Sequence, residues 1–293
     1  MERETMNLMR YKYWYFVISA FVIIPGLISL FLFGLKPAID FTGGSLLHLQ
    51  IEANQDQDPK ALLSDLTEEY QIEDIQYTAP DLSIRAKEMT NEQKDMLLAE
   101  LAQRFPHLVL RSFETLGPSI GAELLQKTLT ALILVAVLIT LYVWKQFSEL
   151  KYGVSAVLAM FHDSLVLLGV FSLLGHFRGI EVDTLFVTAM LTTLSFSVHD
   201  TIVVYDRIRE LRHKYPRIDL DSLANVAVVE TLGRSLNNSL TIILMLLVLV
   251  LLGGQSIHYF ALALLVGSIT GTYSSSFTAV PLLLCWPEKK KSV

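Results

Sequence analysis

Six stretches of this sequence stay apolar for long enough to cross a lipid bilayer, and they set what the chain can fold into. The hydrocarbon core is about 30 Å thick and a helix rises about 1.5 Å per residue, so a span needs roughly 20 mostly apolar residues. The stretches fall at about 14–34, 124–144, 152–175, 183–206, 235–253 and 259–284, each broken from the next by charge, glycine or proline. A hydrophobic fraction of 52% and a mean hydropathy of +0.47 exceed what a water-facing globule of 293 residues needs, so lipid solvates much of the surface. Arg3, Arg10 and Lys12 precede the first stretch as they would a signal peptide. That stretch is too long for a signal core and no small-residue cleavage site follows it, so it reads as a span.

Basic residues orient the spans. If the six alternate in direction, Arg3, Arg10, Lys12, Lys145, Lys151, the five Lys and Arg from Arg207 to Arg217, and Lys289, Lys290 and Lys291 share one side. The opposite short connections offer only Arg178. By the positive-inside rule both termini are cytoplasmic and the long segment after the first span is extracytoplasmic. The chain then divides into residues 1–36 with the first span, 37–118 as an outer domain, and 119–293 with five spans and the C-terminus. Residues 40–115 carry 15 Asp and Glu against 6 Lys and Arg, a balance of −9 within a net charge of −6, which argues against nucleic acid as a partner. Cys285 is the single cysteine, so the outer domain stands on its own core without a disulfide.

In that domain the pattern turns alternating and amphipathic, and its elements read β-α-β-β-α-β. Ser45–Glu52 alternates as a strand, and Pro59–Tyr70 has helical spacing. Asp74–Thr78 and Leu82–Ala86 flank an Ala79-Pro80-Asp81 turn as a hairpin. Asn91–Phe105 is helical with Thr90 as its cap, and His107–Phe113 alternates again. This is the order of a ferredoxin-like unit, two helices on one face of a four-stranded antiparallel sheet. No metal-spaced Cys/His set, phosphate loop or activated nucleophile occurs in it, so a binding or lever role fits better than catalysis.

Ionisable side chains in lipid are costly and usually face the bundle interior for a functional reason. Asp163 lies in the third span, Asp200 in the fourth and Arg234 at the start of the fifth. Arg234, Asn237, Asn238 and Thr241 follow helical spacing and make a polar stripe that needs partners. Asp200 lies about 9 Å above the end of its span at Asp206, level with Arg234, so the two are expected to pair. The guanidinium favours a charged carboxylate and burial a neutral one, so separating the pair promotes protonation, the elementary step of a proton relay. A static ion pair that fixes helix register is the plainer alternative, and an Asp163 bonded to a neighbouring helix would look the same from sequence. His162 and His199 read as structural histidines. Each His-Asp pair is adjacent, which sends the two side chains to different faces, and no HExxH or Gly-x-Ser-x-Gly element accompanies them, so metal and protease chemistry find no support. Gly267, Gly271 and Ser275 form a small-residue stripe for close helix packing.

Five motifs together resemble the SecF family of protein-export membrane proteins. They are Asp40-Phe41-Thr42-Gly43-Gly44, Leu116-Gly117-Pro118-Ser119-Ile120-Gly121, His162-Asp163, the run from Ser197 through Asp200 to Glu210, and the run from Thr231 through Arg234, Asn237 and Asn238 to Leu240. The resemblance implies a bacterial plasma-membrane protein that pairs with SecD, a homologous six-span partner, within the resistance-nodulation-division superfamily. It implies work beside the Sec translocon channel, where cation flow drives outer-domain movements that pull or hold the translocating polypeptide. Asp200 and Arg234 fall where that family has its proton-pathway residues. Gly43 and Gly44 free the backbone for positive φ where a helix end turns into a strand, either as a hinge at the membrane surface or as a simple turn.

The expectation is therefore a six-helix membrane bundle with an inserted ferredoxin-like domain. It would act as an ion-gradient-coupled export subunit through Asp200 and Arg234, supported by Asp163, Asn237 and Asn238, with membrane lipid around it and no cofactor. A half-transporter of small molecules or lipids and a passive scaffold are the rivals.

Overall fold

The structure is a computed structural model that describes residues 6–51, 63–105, 107–147 and 149–286. Its helices are α1 (Lys12–Phe33), α2 (Ile39–Thr42), α3 (Leu66–Glu69), α4 (Asn91–Arg104), α5 (Pro118–Gln146), α6 (Leu150–Arg178), α7 (Thr184–Lys214), α8 (Leu220–Leu252), α9 (Gln255–Phe277) and α10 (Ala279–Leu284). Its strands are β1 (Gly44–Gln50), β2 (Ile72–Thr78), β3 (Asp81–Ala86) and β4 (Val109–Leu116). The chain forms two compact units, a helical one of Met1–Leu35, Ala131–Ile180 and Leu185–Val293, and a sheet-centred one of Lys36–Thr130 and Glu181–Thr184.

Among the described residues six helices are long and apolar enough to span a membrane: α1, α5, α6, α7, α8, and α9 continued by α10. Several outrun their apolar stretches. Span five is expected from about 235, yet α8 starts at Leu220, where the Asp219 carboxylate caps it by accepting from Ser222 N at 2.8 Å. Hydropathy finds only the lipid-facing part of such a helix. The polar first turns of α8 continue it and hold the N-terminal segment, through Met9 N to Asn225 Oδ1 at 3.2 Å and Lys12 to Asp221 at 3.1 Å. About half of the apolar length of α6, α7 and α9 is buried, and none of α5.

Glycines set the closest approaches in this unit. A Cβ on Gly26 of α1 would fall 2.8 Å from Gly169 Cα of α6, and one on Gly169 would fall 2.6 Å from Gly26 Cα. Both positions must therefore be glycine for these backbones to touch. Gly267 of the predicted stripe on α9 behaves likewise, since a Cβ there would collide with the Thr193 side chain of α7, while one on Gly271 would meet Ser197 Cα at an ordinary 3.5 Å. Phe147, Tyr152 and Tyr205 stack and cross edge to face lower in the core, and Tyr205 donates to Ala279 O at 2.7 Å.

In the sheet unit the strands run in the order β2-β3-β1-β4, all pairs antiparallel, with Leu47 opposite Ile84 on one side and Phe113 on the other. Alternation works as the sequence predicts. Leu47, Leu49, Leu82 and Ile84 are buried on one face, and Leu97 and Leu101 of α4 cover them. Thr90 closes a full capping box with Gln93 at the start of α4. The predicted helix Pro59–Tyr70 lies partly outside the described residues, and within them only Leu66–Glu69 is helical. Glu52, the last residue of the first predicted strand, also lies outside them. The last strand runs two to three residues further along the chain than the predicted His107–Phe113.

Gly43 has φ +74° and Gly44 φ +112°, conformations that favour glycine. Both are also enclosed by backbone. A Cβ on Gly43 would lie 2.6 Å from Pro118 Cα, and one on Gly44 would lie 2.7 Å from Ala86 O. Nearby, Pro37 bridges Val182, and Arg85 donates to Pro37 O at 3.0 Å, to Glu181 at 2.9 Å and to Thr42. These contacts tie the 181–184 connection to the sheet, which no sequence pattern announces.

Candidate functional site

α7 carries Asp200 about midway along its length, half-buried against α8 and α9. Its Oδ2 accepts a hydrogen bond from Ser235 Oγ of α8 at 3.0 Å. The predicted partner Arg234 is exposed, as are Asn237 and Asn238, and the Asp200–Arg234 ion pair is absent among the described residues. Adjacent helix positions differ by about 100°, and the buried side of α8 is formed by Thr231, Ser235 and Ser239. The polar stripe of Arg234, Asn237 and Thr241 therefore faces outward. Nearer the C-terminal end of α7, Arg207 bridges to Glu230 of α8 at 2.7 Å.

A cavity of about 30 Å³ adjoins Asp200, lined among others by Asn238 and Ser239 of α8 and by Ser268 and Thr272 of α9. Of the predicted polar stripe, Asn238 reaches it. His199 lines this cavity and also a larger recess of about 320 Å³ formed with Leu138, Ile139 and Tyr142 of α5.

Asp163 lies elsewhere, fully buried in α6. Ser274 Oγ of α9 donates to its Oδ2 at 2.6 Å, and His162 Nδ1 lies 2.9 Å from its Oδ1. The expectation that His162 and Asp163 face apart is corrected: the histidine ring folds back beside the carboxylate. Its Nε2 then lies 3.0 Å from Ser19 Oγ of α1, itself 3.4 Å from Thr278 Oγ1. A single polar knot thus joins α1, α6 and α9, in keeping with the reading of His162 as a satisfied structural histidine. Ser19, Ser235, Ser268 and Ser274 are not singled out by the sequence reading. The one signal for them is a hydroxyl falling on the inward face of an apolar helix. Among the described residues no three His, Cys, Asp or Glu side chains converge as metal ligands.

Six apolar helices, a small antiparallel sheet domain between the first two, and a carboxylate in the bundle define a multi-pass membrane protein with a polar site inside its spans. Residues 97–289 match the family of protein export membrane proteins SecD/SecF, C-terminal, and residues 28–55 match the SecD/SecF GG motif. The chain belongs to the SecD/SecF family. It is 38% identical over 300 residues to the protein translocase subunit SecF of Thermobaculum terrenum, covering 97% of this chain and 95% of that protein. It is also 38% identical to that of Anaerolinea thermophila, covering 96% and 94%. A crystal structure of SecDF, a translocon-associated membrane protein from Thermus thermophilus, superposes with a TM-score of 0.86 at 30% identity over 96% of this chain. The chain spans 38% of that SecDF chain's length.

Proposed function

We propose that the chain is a SecF-type subunit of the bacterial Sec export machinery, working with a SecD-type partner beside the translocon, and that an ion gradient drives it through Asp200. The observation that carries the coupling is a half-buried carboxylate within a span, hydrogen-bonded to Ser235 and open to a water-sized cavity. Such a group gains and loses charge only at a cost set by its neighbours, so its charge state and the packing of α7, α8 and α9 are linked. Arg234 and Asn237, exposed on a span, support a partner: polar groups facing lipid are costly, and a second membrane subunit would cover them. Arg234 then meets its counter-charge across that interface or after a shift of α8, and Asn237 and Asn238 extend the polar path.

Asp163 supports the path by position, holding α9 through Ser274. The distribution of basic residues supports cytoplasmic termini and a sheet domain outside, and the strand order β2-β3-β1-β4 supports the ferredoxin-like reading and a role toward the translocating polypeptide. Gly43 and Gly44 act as a fixed joint at the foot of that domain.

The test is Asp200→Asn in the assembled complex. Export into membrane vesicles should lose its dependence on the ion gradient. Normal gradient-dependent export by that variant would leave only a scaffold role.

A further inference from the structure

The chain passes between its two units at four places, and these are of two kinds. After α1 and after α6 the helix has already ended at a glycine of positive φ, Gly34 at +69° and Gly179 at +70°, before the chain enters the sheet-centred unit. At the other two a helix runs through unbroken, α5 from Pro118 and α7 from Thr184. An unbroken helix carries a displacement along its axis as a rigid element does, and a chain whose helix has ended does not. Of the two continuous helices α7 holds Asp200, about 24 Å beyond Thr184 at about 1.5 Å per residue. The start of α7 is also bonded into the sheet-centred unit. Asp40 Oδ2 accepts from Thr184 N at 3.0 Å and from Thr184 Oγ1 at 2.8 Å, so it caps the first turn of α7 from a distant part of the chain. Val182 donates to Lys36 O at 2.7 Å and accepts from Ala38 N at 2.9 Å. Glu181 pairs with Arg85 of β3 at 2.9 Å and with Lys36 at 3.6 Å, and the buried Arg85 also donates to Pro37 O and to Thr42.

We propose that Asp40, Arg85 and Glu181 are positioning residues for the coupling step. They lock the N-terminus of α7 to the sheet domain, so a movement of that domain and a change of charge at Asp200 reach one another along α7. None of the three lines the cavity beside Asp200, so each acts through the helix. A buried ion pair adds little net stability over apolar packing, yet removing one partner is costly, so the Arg85–Glu181 pair serves to fix a position more than to strengthen a fold. Asp40 does the same for the helix end, because its carboxylate satisfies a backbone N–H that a first turn leaves open. The inference rests on the reading of Asp200 as the coupling group and adds the route by which its state reaches the sheet domain.

The experiment uses the full-length chain assembled with its partner subunit. Amide hydrogen exchange is followed in residues 36–50, in α4 and in residues 181–190, and gradient-dependent export is measured in vesicles. Asp200→Asn should change the exchange of residues 36–50. Cutting the link with Asp40→Ala and Glu181→Ala together should speed exchange at residues 184–186 about tenfold, the worth of one hydrogen bond to a charged group. It should also erase the response of residues 36–50 to Asp200→Asn and abolish gradient-dependent export, while α4 stays as protected as in the wild type. Residues that merely stabilise the domain would loosen α4 as well. Asp40→Asn, which keeps an oxygen acceptor for Thr184, should restore most of the export. Thr188→Pro, at an exposed position, kinks α7 past the cap and leaves Asp40, Arg85 and Glu181 in place, so it should erase the response too. It decides the matter if the alanine pair unfolds the sheet domain. A response of residues 36–50 that survives the cut and the kink, or that Asp200→Asn never produces, overturns the link, as does wild-type export with the link cut. Normal export by Asp200→Asn would instead overturn the coupling reading beneath it, so the two failures are separable.

Discussion

Ser235 Oγ donates to Asp200 Oδ2 across 3.0 Å, while Arg234, one position earlier on α8, points away from that carboxylate. The two neighbours therefore stand in different surroundings. Ser235 meets Asp200 inside the bundle, and Arg234 lies at the surface of α8. Ser235→Ala should lower gradient-dependent export about tenfold with the complex intact, since it removes one hydrogen bond to a charged group. Arg234→Ala should weaken retention of the partner subunit on affinity purification in detergent. A Ser235→Ala protein with unchanged export, beside an Arg234→Ala protein that keeps its partner and loses export, would restore a direct Asp200–Arg234 pair.

Much of the fold is legible in the sequence because its signals are local. Apolar length locates the spans, alternation of Leu47, Leu49, Leu82 and Ile84 locates the sheet face, and Thr90 with Gln93 locates the start of α4. The site is half legible. Asp163 and Asp200 stand out because charge in lipid is rare, but which of Arg234 and Ser235 turns inward depends on helix rotation, and a shift of one residue moves a side chain by about 100°. The contact between Gly26 and Gly169 is invisible for a different reason: it joins residues on two helices, and neither sequence neighbourhood contains the other. The same holds for the knot of Ser19, His162, Asp163 and Ser274.

The enclosure of Gly43 and Gly44 by backbone favours a fixed turn over a hinge. Each carries a positive φ and faces backbone where a Cβ would stand, Pro118 Cα at 2.6 Å and Ala86 O at 2.7 Å. Gly43→Ala and Gly44→Ala should each destabilise the full-length protein by about 1–3 kcal/mol, from strain and overpacking together. Thermal unfolding of the purified complex, with protease resistance of the sheet domain as the local readout, checks this. A swivel that merely needs small residues would leave both readouts unchanged in Gly44→Ala.

Asp163 differs from Asp200 in having every neighbour in place. Ser274 at 2.6 Å and His162 at 2.9 Å occupy its two oxygens, and the whole group is shut off from the cavity beside Asp200. Its hydrogen bonds tie α9, the helix that presents Ser268 and Thr272, to α6 and, through His162 and Ser19, to α1. Asp163→Ala should cost about 2–5 kcal/mol, because it removes the acceptor of the buried Ser274 hydroxyl and the carboxylate partner of the buried His162 Nδ1. Export should fall in step with that loss of stability. Asp163→Asn keeps the shape and an acceptor for Ser274, so it should unfold close to the wild-type temperature and export well, in contrast to Asp200→Asn. The comparison needs only unfolding curves and export rates on the same preparations. An Asp163→Asn protein that is stable, assembled and unable to use the gradient would make this second carboxylate a carrier of the ion rather than a holder of the helix.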